Sequence, residues 1–133
     1  MAKGLDRDRE RKSKVLFFGK DLARRSKSSC ELCEAKNESL KIYEVPPINE
    51  EPQFEQCMFI CEQCSKILDN LNKAGENDLR FLNSAVWSEV PIVKAVAIYA
   101  LRKIKDKYTW AEETLETVYI EEEVESLLEK IEI

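Results

Sequence analysis

The sequence contains no histidine among its 133 residues. Histidine is the side chain that exchanges protons near neutrality and the commonest nitrogen ligand of a metal. Its absence removes Ser–His and Cys–His nucleophile pairs, imidazole general bases and histidine-bound catalytic zinc. Glycine and proline are scarce, at 3 and 4 residues, which argues against low-complexity or disordered character over most of the length. There is no G-x-G-x-x-G and no Walker loop to cradle phosphates. No apolar run approaches the ~20 residues of a membrane span. The apolar stretch Val15-Leu16-Phe17-Phe18 near the basic N-terminus falls short of the roughly 7–15 residues of a signal-peptide core. The expectation is a cytoplasmic protein without a membrane partner, in a compartment that keeps thiols reduced.

Hydrophobic residues make up 44% and charged residues 35% of the chain, a globular balance for one domain with a modest core. The net charge of −5 is unevenly placed. Residues 1–29 hold 10 Lys/Arg against 4 Asp/Glu, a net +6, and residues 30–133 carry −11. A basic arm on an acidic body can meet nucleic acid or another acidic surface, or pack on its own body.

Against these absences stand two cysteine pairs, Cys30-Glu31-Leu32-Cys33 and Cys61-Glu62-Gln63-Cys64, separated by 27 residues. A C-x-x-C turn places two sulfurs on one edge of a tetrahedron, so the tandem pair reads as four thiolates around one structural zinc ion. Four thiolates leave no position for an activated water, and their surplus negative charge calls for backbone N–H groups or for Lys36 and Lys66. The fifth cysteine, Cys57, reads as a buried core thiol.

Around the pairs the chain divides into predicted elements. Residues 1–13 carry almost no apolar side chain and read as a flexible basic arm. Val15, Phe18, Leu22 and Ala23 predict an amphipathic helix over 14–25. Alternation in Leu40–Val45 predicts a strand stopped by Pro46-Pro47, and residues 56–60 a second strand. Ile67, Leu68 and Leu71 predict a helix from Glu62 to about Asn72. Knuckle, hairpin and ligand-bearing helix in that order suggest a treble-clef finger over 28–74, with a zinc ribbon as the alternative. The segment 75–133 reads as a helical part of the same domain. Asp78, Ser88 and Thr109 are candidate helix caps, Val93, Val96, Ala97, Ala100, Leu101 and Ile104 form an apolar face, and Glu121–Glu123 open a last helix. Trp87 and Trp110 fall in apolar patterns that suit packing.

The motifs Cys30–Cys33, Tyr43-Glu44-Val45-Pro46-Pro47 and Trp87-Ser88-Glu89-Val90-Pro91 resemble the amino-terminal zinc-finger domain of PhnA-type proteins, over roughly residues 24–130. The resemblance implies a four-cysteine zinc site on Cys30, Cys33, Cys61 and Cys64. It implies no reaction, since the family name comes from an operon linked to alkylphosphonate use. The longer members carry a second, β-rich PhnA domain that this chain does not show, and the glycine usual after the second cysteine is Glu34 here. The finger layout also suits HNH nucleases, but their strand supplies histidines that are absent from this chain.

The expected function is a non-enzymatic zinc-binding interaction or regulatory protein with a protein partner, its oligomeric state open. The alternative is a nucleic-acid-binding accessory protein using the basic segment, with Arg24, Arg25 and Lys27 as candidate contacts. A zinc hydrolase acting on phosphonates, with Glu44 or Glu89 in a catalytic role, is a third class.

Overall fold

The computed structural model describes residues 2–133. It is helix-rich, with one two-stranded antiparallel sheet. Helices α1 (Ala2–Phe17) and α2 (Gly19–Ser26) precede strands β1 (Leu40–Glu44) and β2 (Cys57–Cys61). Helices α3 (Glu62–Asp69), α4 (Glu76–Leu79), α5 (Leu82–Ala85), α6 (Pro91–Ile104), α7 (Thr109–Thr117) and α8 (Glu122–Leu128) follow. The strands pair from Leu40 opposite Cys61 to Glu44 opposite Cys57, so the hairpin delivers Cys61 to the start of the sheet beside the first knuckle.

Helix α6 is the axis of the molecule. The sequence predicts one apolar face, but every residue from Ile92 to Ile98 is buried, Lys94 included. A helix apolar on most of its circumference belongs inside, and α6 packs against α5, α7, α8 and β2. Lys94 lays its methylenes in this core and carries its ammonium out to Glu121 at 2.9 Å. Ser88 is not the cap of α6: Val90 holds that position, the Ser88 hydroxyl accepts from Val90 N–H at 3.1 Å in the turn before it, and Pro91 opens the helix where no N–H partner is needed. The chain end is tied back to both halves: Glu132 N–H donates to Pro46 O at 3.0 Å and the Tyr99 hydroxyl to Ile133 O at 2.8 Å.

Several expectations are corrected. The segment read as a flexible arm is helical from Ala2 onward as part of α1, and within it Arg11 and the Asp8–Lys12 pair make side-chain contacts. Arg11 forms a two-pronged ion pair with Glu44 and donates to Asn49 O, while Lys14 meets Glu51 at 2.9 Å. Charged partners more than thirty residues away fold a segment that has little apolar surface of its own. The predicted helix over 14–25 is split by one residue, Phe18, whose backbone stays right-handed helical and whose ring meets Phe54 edge-on at 5.6 Å.

The helix expected from Asp78 to Val86 is two short turns, α4 and α5, joined by i→i+3 hydrogen bonds such as Asn83 N–H to Arg80 O, and Asp78 lies inside α4, with Gly75 in the cap position. This tighter winding aligns Leu79, Leu82 and Ala85, all buried, at threefold spacing. The helix after Cys64 ends at Asp69, followed by a single 3₁₀ turn at Leu71–Lys73. Thr109 is the first residue of α7 rather than its cap; Tyr108 holds the cap position, and its ring stacks on Trp110 at 5.8 Å. Trp110 is packed, with its indole N–H donating to Glu76 at 3.0 Å, but Trp87 is 56% exposed.

Candidate metal centre

The first knuckle forms because the chain after Cys30 turns back on itself. Glu34 N–H donates to Cys30 O at 2.9 Å and Cys30 N–H to Ala35 O at 3.1 Å. Closing so tight a turn puts Glu34 at φ 65° and Asn37 at φ 63°, left-handed positions that asparagine tolerates and glutamate does not favour. The second pair straddles a strand–helix junction. Cys61 ends β2 and holds the cap position of α3 with extended φ/ψ, so Cys64 falls in the first helical turn and faces the same point.

The four Sγ atoms of Cys30, Cys33, Cys61 and Cys64 all lie within 4.8 Å of one another. Cys33 Sγ and Cys61 Sγ are 3.7 Å apart, too far for a disulfide, and all five cysteines are free thiols. A tetrahedron with metal–sulfur arms of about 2.3 Å has an edge of about 3.8 Å. The cluster therefore fits one tetrahedral metal ion, and its four donors fill the shell.

The surroundings favour a thiolate at Cys30. Cys30 Sγ accepts hydrogen bonds from Cys33 N–H at 3.5 Å and Cys61 N–H at 3.4 Å. The hydrogen bond from Cys64, aided by those backbone donors against burial, pulls the Cys30 thiol down to about 4. The Cys64 thiol is pushed up by the same shared proton and by burial, and burial leads the rise of Cys33 to about 11. Protein groups alone stabilise one thiolate well; a divalent cation supplies the field that ionises a full set. Neither Lys36 nor Lys66 donates to a cysteine sulfur among the described residues; Lys66 leans toward Glu62 at 3.8 Å. Backbone amides do that work instead. Cys30, Cys61 and Cys64 are buried, while Cys33 is partly buried at the edge of a groove with Glu38, Glu62 and Lys66.

Cys57 stays apart from the cluster. It is fully buried, donates its S–H to Gln53 O at 3.3 Å, and burial first and Glu44 second push its thiol up to about 11. Core packing is what its sequence position suggests.

One pair of residues is missed by sequence reasoning. Glu31, between the first two cysteines, is 4% exposed at its side chain and lies against Arg25. Arg25 donates to both Glu31 oxygens, at 2.9 and 2.8 Å, and to Cys57 O at 2.8 Å, with its guanidinium 5.1 Å from the Phe54 ring centre. Glu31 also accepts from Phe59 N–H at 2.8 Å, while its own N–H donates to Phe59 O at 3.0 Å. The knuckle is thereby clamped onto β2 and α2. Of the three candidate nucleic-acid contacts, Arg25 is consumed in this clamp, while Arg24 and Lys27 are exposed. The acidic middle residue of the C-x-x-C beside a basic helix is the one signal that pointed to the pairing.

Among the described residues no helix is long and apolar enough to cross a membrane. No family model, curated protein or solved structure matches the chain.

Proposed function

We propose that the chain is a non-enzymatic protein in which a single zinc ion, held by Cys30, Cys33, Cys61 and Cys64, fixes a treble-clef-like finger whose surroundings engage a protein partner. The observation that carries the metal reading is the sulfur geometry: four Sγ atoms within 4.8 Å, with one separation of 3.7 Å. An all-thiolate tetrahedral set suits zinc, and four filled positions suit structure rather than turnover. The knuckle–hairpin–helix order, with Cys64 inside α3, favours a treble clef over a ribbon, whose second pair lies on a hairpin turn.

Kinship with the PhnA-type finger remains part of this proposal. It rests on the Cys30–Cys33 and Trp87–Pro91 motifs and brings no reaction with it. A phosphonate hydrolase has little to work with: Glu44 is neutralised by Arg11, and the cysteine cluster offers no open position. A nucleic-acid role is weakened by the loss of Arg25 to Glu31.

Chelation tests the reading. Thiolate–zinc binding energy is folding energy in a finger of this size. Complete removal of zinc at neutral pH is expected to melt the finger, with loss of helical circular dichroism from α3 and of amide protection in β1 and β2. An unchanged spectrum after complete removal contradicts it.

A further inference from the structure

Helix α1 ends in a pair of large apolar side chains left mostly uncovered among the described residues. Leu16 is 72% and Phe17 84% exposed, at the end of a segment rich in charged residues. Phe18 joins α1 to α2 with right-handed helical angles, its N–H donating back to Val15 O at 3.0 Å. Lys12 and Lys20 stand one turn before and after Leu16, and Arg24 lies two turns beyond Phe17. All three are exposed, and neither Lys20 nor Arg24 pairs with a carboxylate among the described residues. Lys12 pairs with Asp8 at 3.3 Å and Asp21 stands exposed one turn beyond Phe17, so the surplus positive charge at the edge of this apolar ridge comes from Lys20 and Arg24.

The same molecule carries its complement. A groove of about 720 Å³ opens between the loop before β2, the start of α6 and helix α8. Its apolar lining comes from Phe54, Val90, Ile92 and Leu127. Its charged rim is mainly acidic, with Glu55, Glu89 and Glu123 against Lys130, since the nearby Arg25 is already held by Glu31. Ridge and groove are neighbours: Phe54, which lines the groove, packs edge-on against Phe18 at the foot of the ridge.

We propose that the occupant of this groove is the Leu16–Phe17 ridge of a second copy of the chain. Charge selects this partner. A ridge edged by Lys20 and Arg24 meets a rim of Glu55, Glu89 and Glu123, and one sequence supplies both, matching its basic first segment and acidic remainder. Adjacency closes the assembly. A two-fold axis passing between ridge and groove seats each ridge in the other copy's groove, so the interface is isologous and leaves neither surface open to build a filament. The apolar centre supplies the affinity, and the charged border supplies register and orientation. This inference adds a partner to the reading of a zinc-stabilised interaction protein, and it involves none of the cysteine ligands.

Sedimentation velocity of the metal-loaded full chain, with metal content measured in the same samples, tests it. The expected result is a reversible dimer at micromolar concentration whose dissociation constant rises at least fivefold from 50 mM to 500 mM salt. Leu16→Ser with Phe17→Ser is expected to raise it more than tenfold without changing the circular dichroism, because both side chains are already exposed. Lys20→Glu/Arg24→Glu and, separately, Glu89→Lys/Glu123→Lys are each expected to be monomeric. Mixed together, the two charge-reversed proteins are expected to form a heterodimer, since each ridge again meets a groove of opposite charge. A wild-type chain that stays monomeric at several hundred micromolar in low salt overturns the proposal. So does a dimer indifferent to both sets of substitutions, or a monomer that binds anionic vesicles through Leu16 and Phe17. Failure with one metal per chain leaves the zinc reading standing, whereas loss of metal strikes that reading alone.

Discussion

The Arg25 guanidinium is joined to the Glu31 carboxylate by two hydrogen bonds of 2.9 and 2.8 Å and also donates to Cys57 O at 2.8 Å. This pair connects three elements at the metal centre: the helix before the finger, the knuckle that carries Cys30 and Cys33, and the strand that leads to Cys61. With side-chain exposures of 20% and 4%, it is largely removed from water, where geometry and supporting hydrogen bonds decide whether an ion pair helps. Here the pairing is bidentate, and Glu31 has a third donor in Phe59 N–H.

Removing one partner leaves the other charge buried. Arg25→Ala or Glu31→Ala is expected to cost about 3–5 kcal/mol in denaturant unfolding, and the double variant less than the sum of the two. Arg25→Lys keeps the charge but not the fork and should fall between. Additivity within about 0.5 kcal/mol in this double-mutant cycle contradicts the clamp.

A substitution in the opposite direction is predicted at Glu34. Its φ of 65° is forced by the knuckle turn, where its N–H closes on Cys30 O. Left-handed backbone costs a residue with a Cβ roughly 1–2 kcal/mol, and glycine avoids that cost while gaining some freedom in the unfolded chain. Glu34→Gly is expected to raise stability by about 1 kcal/mol, seen as a higher denaturant midpoint at unchanged slope. Glu34→Val, β-branched, should lower it.

Much of this centre is legible in the sequence, and the clamp is not. Cys30, Cys33, Cys61 and Cys64 announce themselves by local spacing, and the hairpin by alternation in Leu40–Val45. Arg25 and Glu31 are six residues apart but meet only because the chain turns sharply between them, with Lys27 at φ 57° and Ser28 at φ 59°. Nothing in either residue type predicts that turn. The same reason hides the order in α1, where Arg11 finds Glu44 and Asn49 across more than thirty residues. Composition describes such a segment as a free basic arm and carries no sign of the pairing of Arg11. The central helix was visible as apolar periodicity, but that Lys94 lies within its buried surface follows from Glu121 standing where the ammonium emerges.

Stability at high pH should carry the signature of Cys57 and Tyr43. Burial, then Glu44, raises Cys57 from 9.0 to about 11; burial, then Asp69, raises Tyr43 from 10.0 to about 12. Each group is neutral in both states below its unfolded value, so neither contributes a slope at neutral pH. Above that value the unfolded chain sheds the proton and the folded chain keeps it, so the unfolded state binds fewer protons and stability falls as pH rises. The Cys57 part is lost between pH 9 and about 11, by roughly 3 kcal/mol at about 1.4 kcal/mol per unit. Cys57→Val should flatten the decline below pH 10, where Tyr43 does not yet contribute. An identical pH profile in wild type and variant contradicts a buried neutral thiol at this position.

The most direct test of the account is metal content per chain, measured together with the number of thiols that react in the native, metal-loaded protein. One zinc per chain is predicted, with Cys30, Cys33, Cys61 and Cys64 protected by the ion and Cys57 protected by burial until the chain is denatured. Absence of zinc, or zinc accompanied by two or more reactive thiols in the native state, contradicts the closed four-cysteine site.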